Sequence, residues 1–509
     1  MASRRTFLKA LAGVGVAVVV PAGVLAGWVY AGAGRSNLGT LSFHNPLRIP
    51  PLLDPVAGGD DRKRFELTLQ EGQSEFLPGT RTATWGANGP YLGPTVRVSR
   101  GERVELAVTN QLPETTTLHW HGMHLPAEMD GGPHQPIEPG QTWRPRWTVD
   151  QPATTLWYHP HLHRTTARHV YRGVAGLFLI DDPATDALPL PAEYGVDDVP
   201  LVLQDKKLKD DGTLDTSKMD FNGITVTGLL GDKILVNGTY DPYFELTAER
   251  TRFRLLNGSN ARIFYIGFVD DREFWQIATD SGLLPEPRRL TRLLLSPGER
   301  AEIVVDASPG EELVMRSFPP PLGTNFVHAR LAGGDDTFDL LKLVAAGSLR
   351  PAEPLPERLA QPTELVPAGE PFRLKMGDFL LNNRTMDPAR LDHTVTAGAV
   401  ETWEIVNSQP IPHNFHIHGC SFQVIDVDGE PPADHQLGVK DTVYVQPYTT
   451  VRLAVRFLPY SDPVHPYMFH CHILAHEDAG MMGQFVTVAE PDRAAVASHW
   501  GEASHHGHG

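Results

Sequence analysis

Hydrophobic residues along this chain recur at every second position in short runs, and long stretches with helical spacing are scarce. Thr95-Val96-Arg97-Val98 and Val104-Glu105-Leu106-Ala107-Val108 are two such runs. A period of two sends successive side chains to opposite faces, so each run predicts a strand with one buried and one solvated face. Comparable signals lie at Lys233-Ile234-Leu235-Val236, Phe253-Arg254-Leu255-Leu256, Ala301-Glu302-Ile303-Val304-Val305 and Gly483-Gln484-Phe485-Val486-Thr487-Val488. Gly (47) and Pro (44) are plentiful and punctuate the runs. The pattern predicts many short strands joined by turns, an all-β fold.

At 509 residues the chain is too long for one ordinary domain and suits about three. Residues 34–60 read as a polar, Pro-rich leader, and residues 61–183 as a first domain that closes on Gly176-Leu177-Phe178-Leu179-Ile180-Asp181-Asp182-Pro183. Residues 184–345 read as a second domain, 346–371 as a Pro-rich, semi-rigid linker, and 372–491 as a third domain. The third echoes the first. In one, a strand, the turn Arg100-Gly101-Glu102 and a second strand lead to His-Trp-His-Gly. In the other, Thr394-Val395-Thr396, a turn at Gly398 and Thr402-Trp403-Glu404-Ile405-Val406 lead to His-Ile-His-Gly. Each then reaches a second His-x-His and ends on a strand opened by Gly. This weak internal repeat predicts a shared plan, a small β-sandwich. The middle segment has the Val236-Asn237-Gly238 and Asn257-Gly258 signals of the same plan, but reads Phe264-Tyr265-Ile266-Gly267-Phe268 where the others carry His-x-His. It is expected to keep the fold without metal ligands.

The two ends carry different signals. Ser3-Arg4-Arg5-Thr6-Phe7-Leu8-Lys9 precedes an apolar run over residues 10 to about 30, and Ala31-Gly32-Ala33 offers a small-residue cleavage site. Residues 1–33 resemble a twin-arginine signal peptide, with an uncleaved membrane anchor as the alternative. Export by that machinery would place the protein in the periplasm, at the cell surface or outside the cell. The tail, residues 492–509, holds His499, His505, His506 and His508 among small and polar residues and reads as a disordered end, with weak copper collection as the alternative. A net charge of −17 argues against nonspecific nucleic-acid binding. The two cysteines, Cys420 and Cys471, leave little scope for a disulfide framework.

Histidine carries the chemistry. Four clusters occur: His119-Trp120-His121-Gly122, His159-Pro160-His161, His413-Asn414-Phe415-His416-Ile417-His418-Gly419, and the stretch from His470 to His476. A His-x-His pair on a strand places both imidazoles on one face, a rigid chelating platform. Cys471, His476 and Met481 add thiolate, imidazole and thioether, the soft set of a blue copper centre when a second His joins it. On an extended strand His470 and His472 would face one way and Cys471 the other, linking two metal sites by short covalent paths. Ten imidazoles around a single thiolate fit copper better than tetrahedral zinc or an iron–sulfur cluster.

These four segments resemble the signatures of the multicopper oxidases, and the likeness spans residues 60 to about 490. It implies three consecutive cupredoxin-like Greek-key β-sandwich domains and four copper ions. The type 1 copper would be held by His413, Cys471 and His476 with Met481 as axial ligand, and the type 2 copper by His119 and His416. The type 3 pair would take His121, His159, His161, His418, His470 and His472. The implied reaction is one-electron oxidation of a small reductant at the type 1 site, coupled to four-electron reduction of dioxygen to water at the three-metal cluster. Asp130, eleven residues after His119, and Glu477, directly after His476, stand where proton delivery or ligand orientation would be expected.

The reductant is less legible. The chain has ten Met, spread out, and Ser408-Gln409-Pro410-Ile411-Pro412 precedes His413 with no Met or Asp. That departs from the cuprous oxidases of the family and favours laccase-like oxidation of phenols and aromatic amines, with metal-ion oxidation in copper tolerance as the alternative. Relatives that have lost copper and act as cell-envelope structural or division factors form another class. Retention of all ten His, Cys471 and Met481 argues against it here.

Overall fold

The computed structural model describes residues 34–57, 61–216, 227–361, 363–493 and 496. The twin-arginine segment and the four tail histidines lie outside the described residues. Among the described residues six sheets form, two in each of three successive sandwiches. All the strands predicted from alternation are present, among them Val96–Ser99, Arg103–Asn110, Lys233–Val236, Arg250–Asn257, Arg300–Asp306 and Met482–Val488.

The internal repeat is real and extends to the middle segment. In the first sandwich Arg62–Ser74 runs parallel to Arg103–Asn110, and Val96–Ser99 parallel to Gly176–Asp181. In the third, Phe372–Gly377 runs parallel to Val400–Asn407, and His393–Thr396 parallel to Met482–Val488. The middle sandwich repeats both pairings, Asp198–Lys206 with Arg250–Asn257 and Pro242–Ala248 with Phe338–Arg350. A parallel pair needs a crossover, and here the crossover passes to the facing sheet, which closes each sandwich over its own core. The cores are separate clusters. In the third, buried Trp403 lies against Phe372, Phe415, Phe457, Phe469 and Phe485. Truncating such a ring to Ala typically costs roughly 3–5 kcal/mol.

Two segments differ from the sequence reading. The stretch read as a leader is built into the middle sandwich: Asn45–Pro46 pairs with Pro242–Ala248, and Leu47 is buried in its core. The strand Phe338–Arg350 runs on past residue 345 into the stretch read as linker. Asn45–Pro46 adds to the open edge of Pro242–Ala248, while Phe338–Arg350 runs between Pro242–Ala248 and Glu312–Ser317, pairings that a polar, Pro-rich composition conceals.

The first and third sandwiches meet directly. Tyr467 Oη donates to the Leu125 carbonyl at 2.7 Å, and His134 Nε2 lies 2.7 Å from Gln484 Oε1. The short helices Thr166–Arg172 and Leu474–Asp478 touch, with Asp478 accepting the Thr166 and Ala167 amides at 3.0 and 2.9 Å. Among the described residues no helix is long and apolar enough to cross a membrane.

Candidate metal centre

One donor group lies inside the third sandwich. The strand Asp462–His470 stops at His470, and the chain then bends through Cys471 and His472. The expected separation of Cys471 from its neighbours therefore arises at a strand end and not along an extended strand. Cys471 Sγ lies 3.6 Å from His413 Nδ1 and 3.5 Å from His476 Nδ1, and the two nitrogens are 3.2 Å apart. The helix Leu474–Asp478 turns His476 back toward Cys471. Gly480, at φ +100°, then reverses the chain so that the Met481 amide donates to the His476 carbonyl at 3.0 Å and its carbonyl accepts from the Cys471 amide at 3.1 Å. Met481 is thus tied to both neighbours, and all four side chains are buried.

Eight further imidazoles converge between the first and third sandwiches, all of them buried. Strand pairing sets their register: His119 opposite His159, and His416 opposite His470. His119 stacks on His418 with centroids 3.8 Å apart, and His121 on His416 at 3.7 Å, so each pair joins the two sandwiches. Most rings have one nitrogen anchored. Nδ1 of His119, His159, His416 and His470 lies 2.8–3.1 Å from the carbonyls of Asp130, Pro160, Asp441 and Cys471. His418 Nδ1 lies 2.7 Å from Asp130 Oδ2. The opposite nitrogens turn to one another: His161 Nε2 and His470 Nε2 are 3.0 Å apart, and His418 Nε2 and His470 Nε2 are 3.3 Å apart. His119 Nε2, His416 Nε2 and both nitrogens of His472 are buried without a hydrogen-bond partner.

The electrostatics suit a cation. Burial pushes the imidazoles of His121, His159, His161, His418, His470, His472 and His413 well below their ordinary range, and like charge from neighbouring rings adds to it. They are neutral at pH ~7 and present lone pairs. Burial pushes the Cys471 thiol up to about 12, so a bound cation is what would convert it to thiolate. Several unsatisfied buried nitrogens, at roughly 1–3 kcal/mol each, are tolerable only where a partner completes them. The donor sets fit copper: imidazole with one thiolate at one site, imidazole alone at the other.

Both candidate carboxylates touch this group. Glu477 Oε1 lies 3.5 Å from His161 Nδ1, and Oε2 lies 3.3 Å from His470 Nδ1. Burial, with Asp478 beside it, pushes its carboxyl well above the usual range. Asp130 holds His418 through Oδ2 and His119 through its backbone carbonyl. The other histidines serve elsewhere: His169 Nε2 lies 3.0 Å from Glu114, and His465 Nδ1 lies 2.8 Å from Asp462. Cys420 is buried and free, with Sγ 3.8 Å from the Ile417 carbonyl. Sequence reasoning missed Asp441, whose Oδ1 lies 3.1 Å from His121 Nε2, and Arg300, which grips that carboxylate. The available signal was Lys440-Asp441 and Glu299-Arg300, charged pairs set directly against apolar strands.

Thiolate and imidazole donors buried in serial β-sandwiches define a class of copper-dependent oxidoreductases with the cupredoxin fold. Residues 68–185 and 355–491 match the multicopper oxidase family. The chain is 35% identical to a multicopper oxidase, mco, from Staphylococcus aureus, over 88% of this chain and 94% of that protein. It is 36% identical to the cell division protein FtsP of Escherichia coli, over 91% of this chain and 96% of that one. A crystal structure of a laccase from Pediococcus acidilactici superposes with a TM-score of 0.80 at 35% identity, covering 90% of this chain and 96% of the other. The chain belongs to the multicopper oxidase family.

Proposed function

We propose that this multicopper oxidase is laccase-like, oxidising phenols and aromatic amines one electron at a time and passing the electrons to dioxygen. His413, Cys471 and His476, with Met481 beside them, would hold the type 1 copper. His119 and His416 would hold the type 2 ion, and His121, His159, His161, His418, His470 and His472 the type 3 pair. Bound copper supplies the one-electron chemistry that four-electron reduction of dioxygen to water requires.

The observation that carries the reading is the junction at Cys471. Its thiol belongs to one donor group, while the residues on either side, His470 and His472, belong to the other. A path of a few covalent bonds, shortened by the His470 Nδ1 to Cys471 carbonyl contact of 3.1 Å, therefore joins the two groups. On the donor side Phe379, half-buried, packs edge-on against the His476 ring at 4.9 Å. On the acceptor side Glu477, buried and with its carboxyl pushed above the usual range by burial, lies within reach of His161 and His470 and is one of the two carboxylates proposed for proton delivery. Asp130 keeps His119 and His418 in place and is the second carboxylate proposed for proton delivery. Ligand retention separates this reading from a purely structural role: every His of the four clusters, Cys471 and Met481 are present. Export by the twin-arginine route, with folding and metal loading before translocation, is part of the proposal and rests on Ser3-Arg4-Arg5-Thr6-Phe7-Leu8-Lys9.

Copper loading of the purified protein tests it. We expect an intense visible charge-transfer band and oxygen uptake with a phenol and an aromatic amine exceeding that with Cu(I). Cys471→Ser should abolish the band and all three activities. Faster uptake with Cu(I) than with either organic donor would replace laccase-like turnover with metal-ion oxidation. A loaded protein that consumed no oxygen would favour a non-enzymatic role.

A further inference from the structure

The middle sandwich supplies none of the candidate ligands among the described residues, yet it reaches the imidazole cluster through the turn Ser296-Pro297-Gly298-Glu299-Arg300. Arg300 is fully buried and all five of its N–H donors are used. Nε donates to the Thr155 carbonyl of the first sandwich at 3.0 Å. Nη1 donates to the Gly298 carbonyl at 3.0 Å and to Asp441 Oδ1 at 2.7 Å, and Nη2 to the Asp280 carbonyl at 2.9 Å and Asp441 Oδ2 at 2.5 Å. One guanidinium therefore ties all three sandwiches together, with a two-point grip on the carboxylate of the third.

Asp441 is the link to the cluster. Its Oδ1 lies 3.1 Å from His121 Nε2, and its backbone carbonyl lies 2.8 Å from His416 Nδ1. An ionised carboxylate only accepts, so His121 carries its proton on Nε2. Its lone pair is then on Nδ1, which lies 3.4 Å from His159 Nε2. His119, His159, His416, His418 and His470 are anchored in the opposite sense, through Nδ1. The surroundings are shaped for the pair. Gly122, which ends the first His-x-His-Gly, has φ +83°, and a Cβ there would sit 2.4 Å from Asp441 Oδ2 and 2.8 Å from Arg300 Nη2. Gly298 lies under His472, where a Cβ would be 3.1 Å from the ring.

We propose that Arg300 is a positioning residue of the dioxygen-reducing cluster: through Asp441 it fixes His121 in the ring sense that presents Nδ1 to metal. The middle sandwich is on this view the third wall of the cluster, and this rests on the metal assignment proposed above. The geometric reason is that the two Nη groups of Arg300 each hold one oxygen of the Asp441 carboxylate, which fixes Oδ1 where it faces His121 Nε2. Arg300→Lys would keep the charge and lose the fork.

The test is copper-loaded Arg300→Lys, read by visible absorption, by total copper per chain and by paramagnetic resonance of the non-blue copper. We expect the blue band at parental intensity, and cluster copper bound at least ~10-fold more weakly. The non-blue resonance should also change in hyperfine splitting, a change that loss of fold alone would not produce with the blue band intact. Should Arg300→Lys fail to fold, the double variant Arg300→Met with Asp441→Leu removes both charges and leaves no unpaired ion. It is expected to show the same selective loss. Cluster copper retained at parental affinity with an unchanged resonance, in whichever variant folds, would overturn the inference alone. A parental protein that takes up no more than the blue copper would overturn the metal assignment and this inference with it.

Discussion

Lys206 ends a central strand of the middle sandwich and is 1% exposed. Its ammonium sits 4.5 Å above the Tyr171 ring and 5.8 Å from that of Tyr91. Burial lowers its pKa from 10.5 to about 7, with Asp205 opposing the shift. The unfolded chain holds this proton up to the ordinary lysine range, so between those two values it binds more protons than the native state does, and stability rises with pH. The cost is fully present at and below the folded pKa and fades as pH approaches 10.5. Lys206→Met keeps the aliphatic stem over the rings and removes the charge. We expect it to raise the unfolding free energy at pH ~7 by an amount on the order of a few kcal/mol, less the lost cation–π contribution, and Tm with it, with the gain shrinking toward pH ~10. Thermal melts across that range decide it, and a variant less stable than the parent at neutral pH would show that the ring contacts outweigh desolvation. At this same scale Cys471 and the His-x-His pairs were readable in the sequence, because their chemistry is carried by residues adjacent in the chain. Arg300 and Asp441 were not, because a buried ion is recognised only by its partner, here 141 positions away.

Strands were legible because alternation is a local property, whereas their ends were not. Gly419 follows His418 in the turn after the strand His413–Ile417, at φ +59°, and a Cβ there would lie 2.4 Å from the Tyr467 ring. Gly140, at φ +82°, has nothing within 4 Å. Both positions demand a left-handed backbone, so the difference between their Ala variants isolates the steric part. Gly140→Ala should cost roughly 1 kcal/mol, while Gly419→Ala should cost roughly 1–3 kcal/mol more and also weaken copper retention, since Gly419 directly follows His418. Denaturant titration with copper analysis measures both. Equal costs would mean that Tyr467 moves aside freely. The same locality explains the leader: Asn45–Pro46 has no alternation to read, and only the open edge of Pro242–Ala248 makes it a strand.

Across the whole molecule the imidazole cluster draws on residues from His119 to His472, so the metal would act as a clamp between the first and third sandwiches. Ligands that bind only the native state stabilise it by mass action. Chelator treatment is therefore expected to lower Tm by several degrees and to expose the junction of those sandwiches to proteolysis before their cores. An unchanged Tm after complete copper removal would show that direct contacts such as Tyr467 to Leu125 already hold the interface. The sequence alone determined the strand pattern, the repeat and the order of the candidate metal-binding segments, since each depends on residues within a few positions of one another. Tertiary structure alone decided which nitrogen each ring turns inward and that the middle sandwich, through Arg300, grips the cluster. Those outcomes depend on desolvated charges meeting across distant segments, and no local pattern encodes such a meeting.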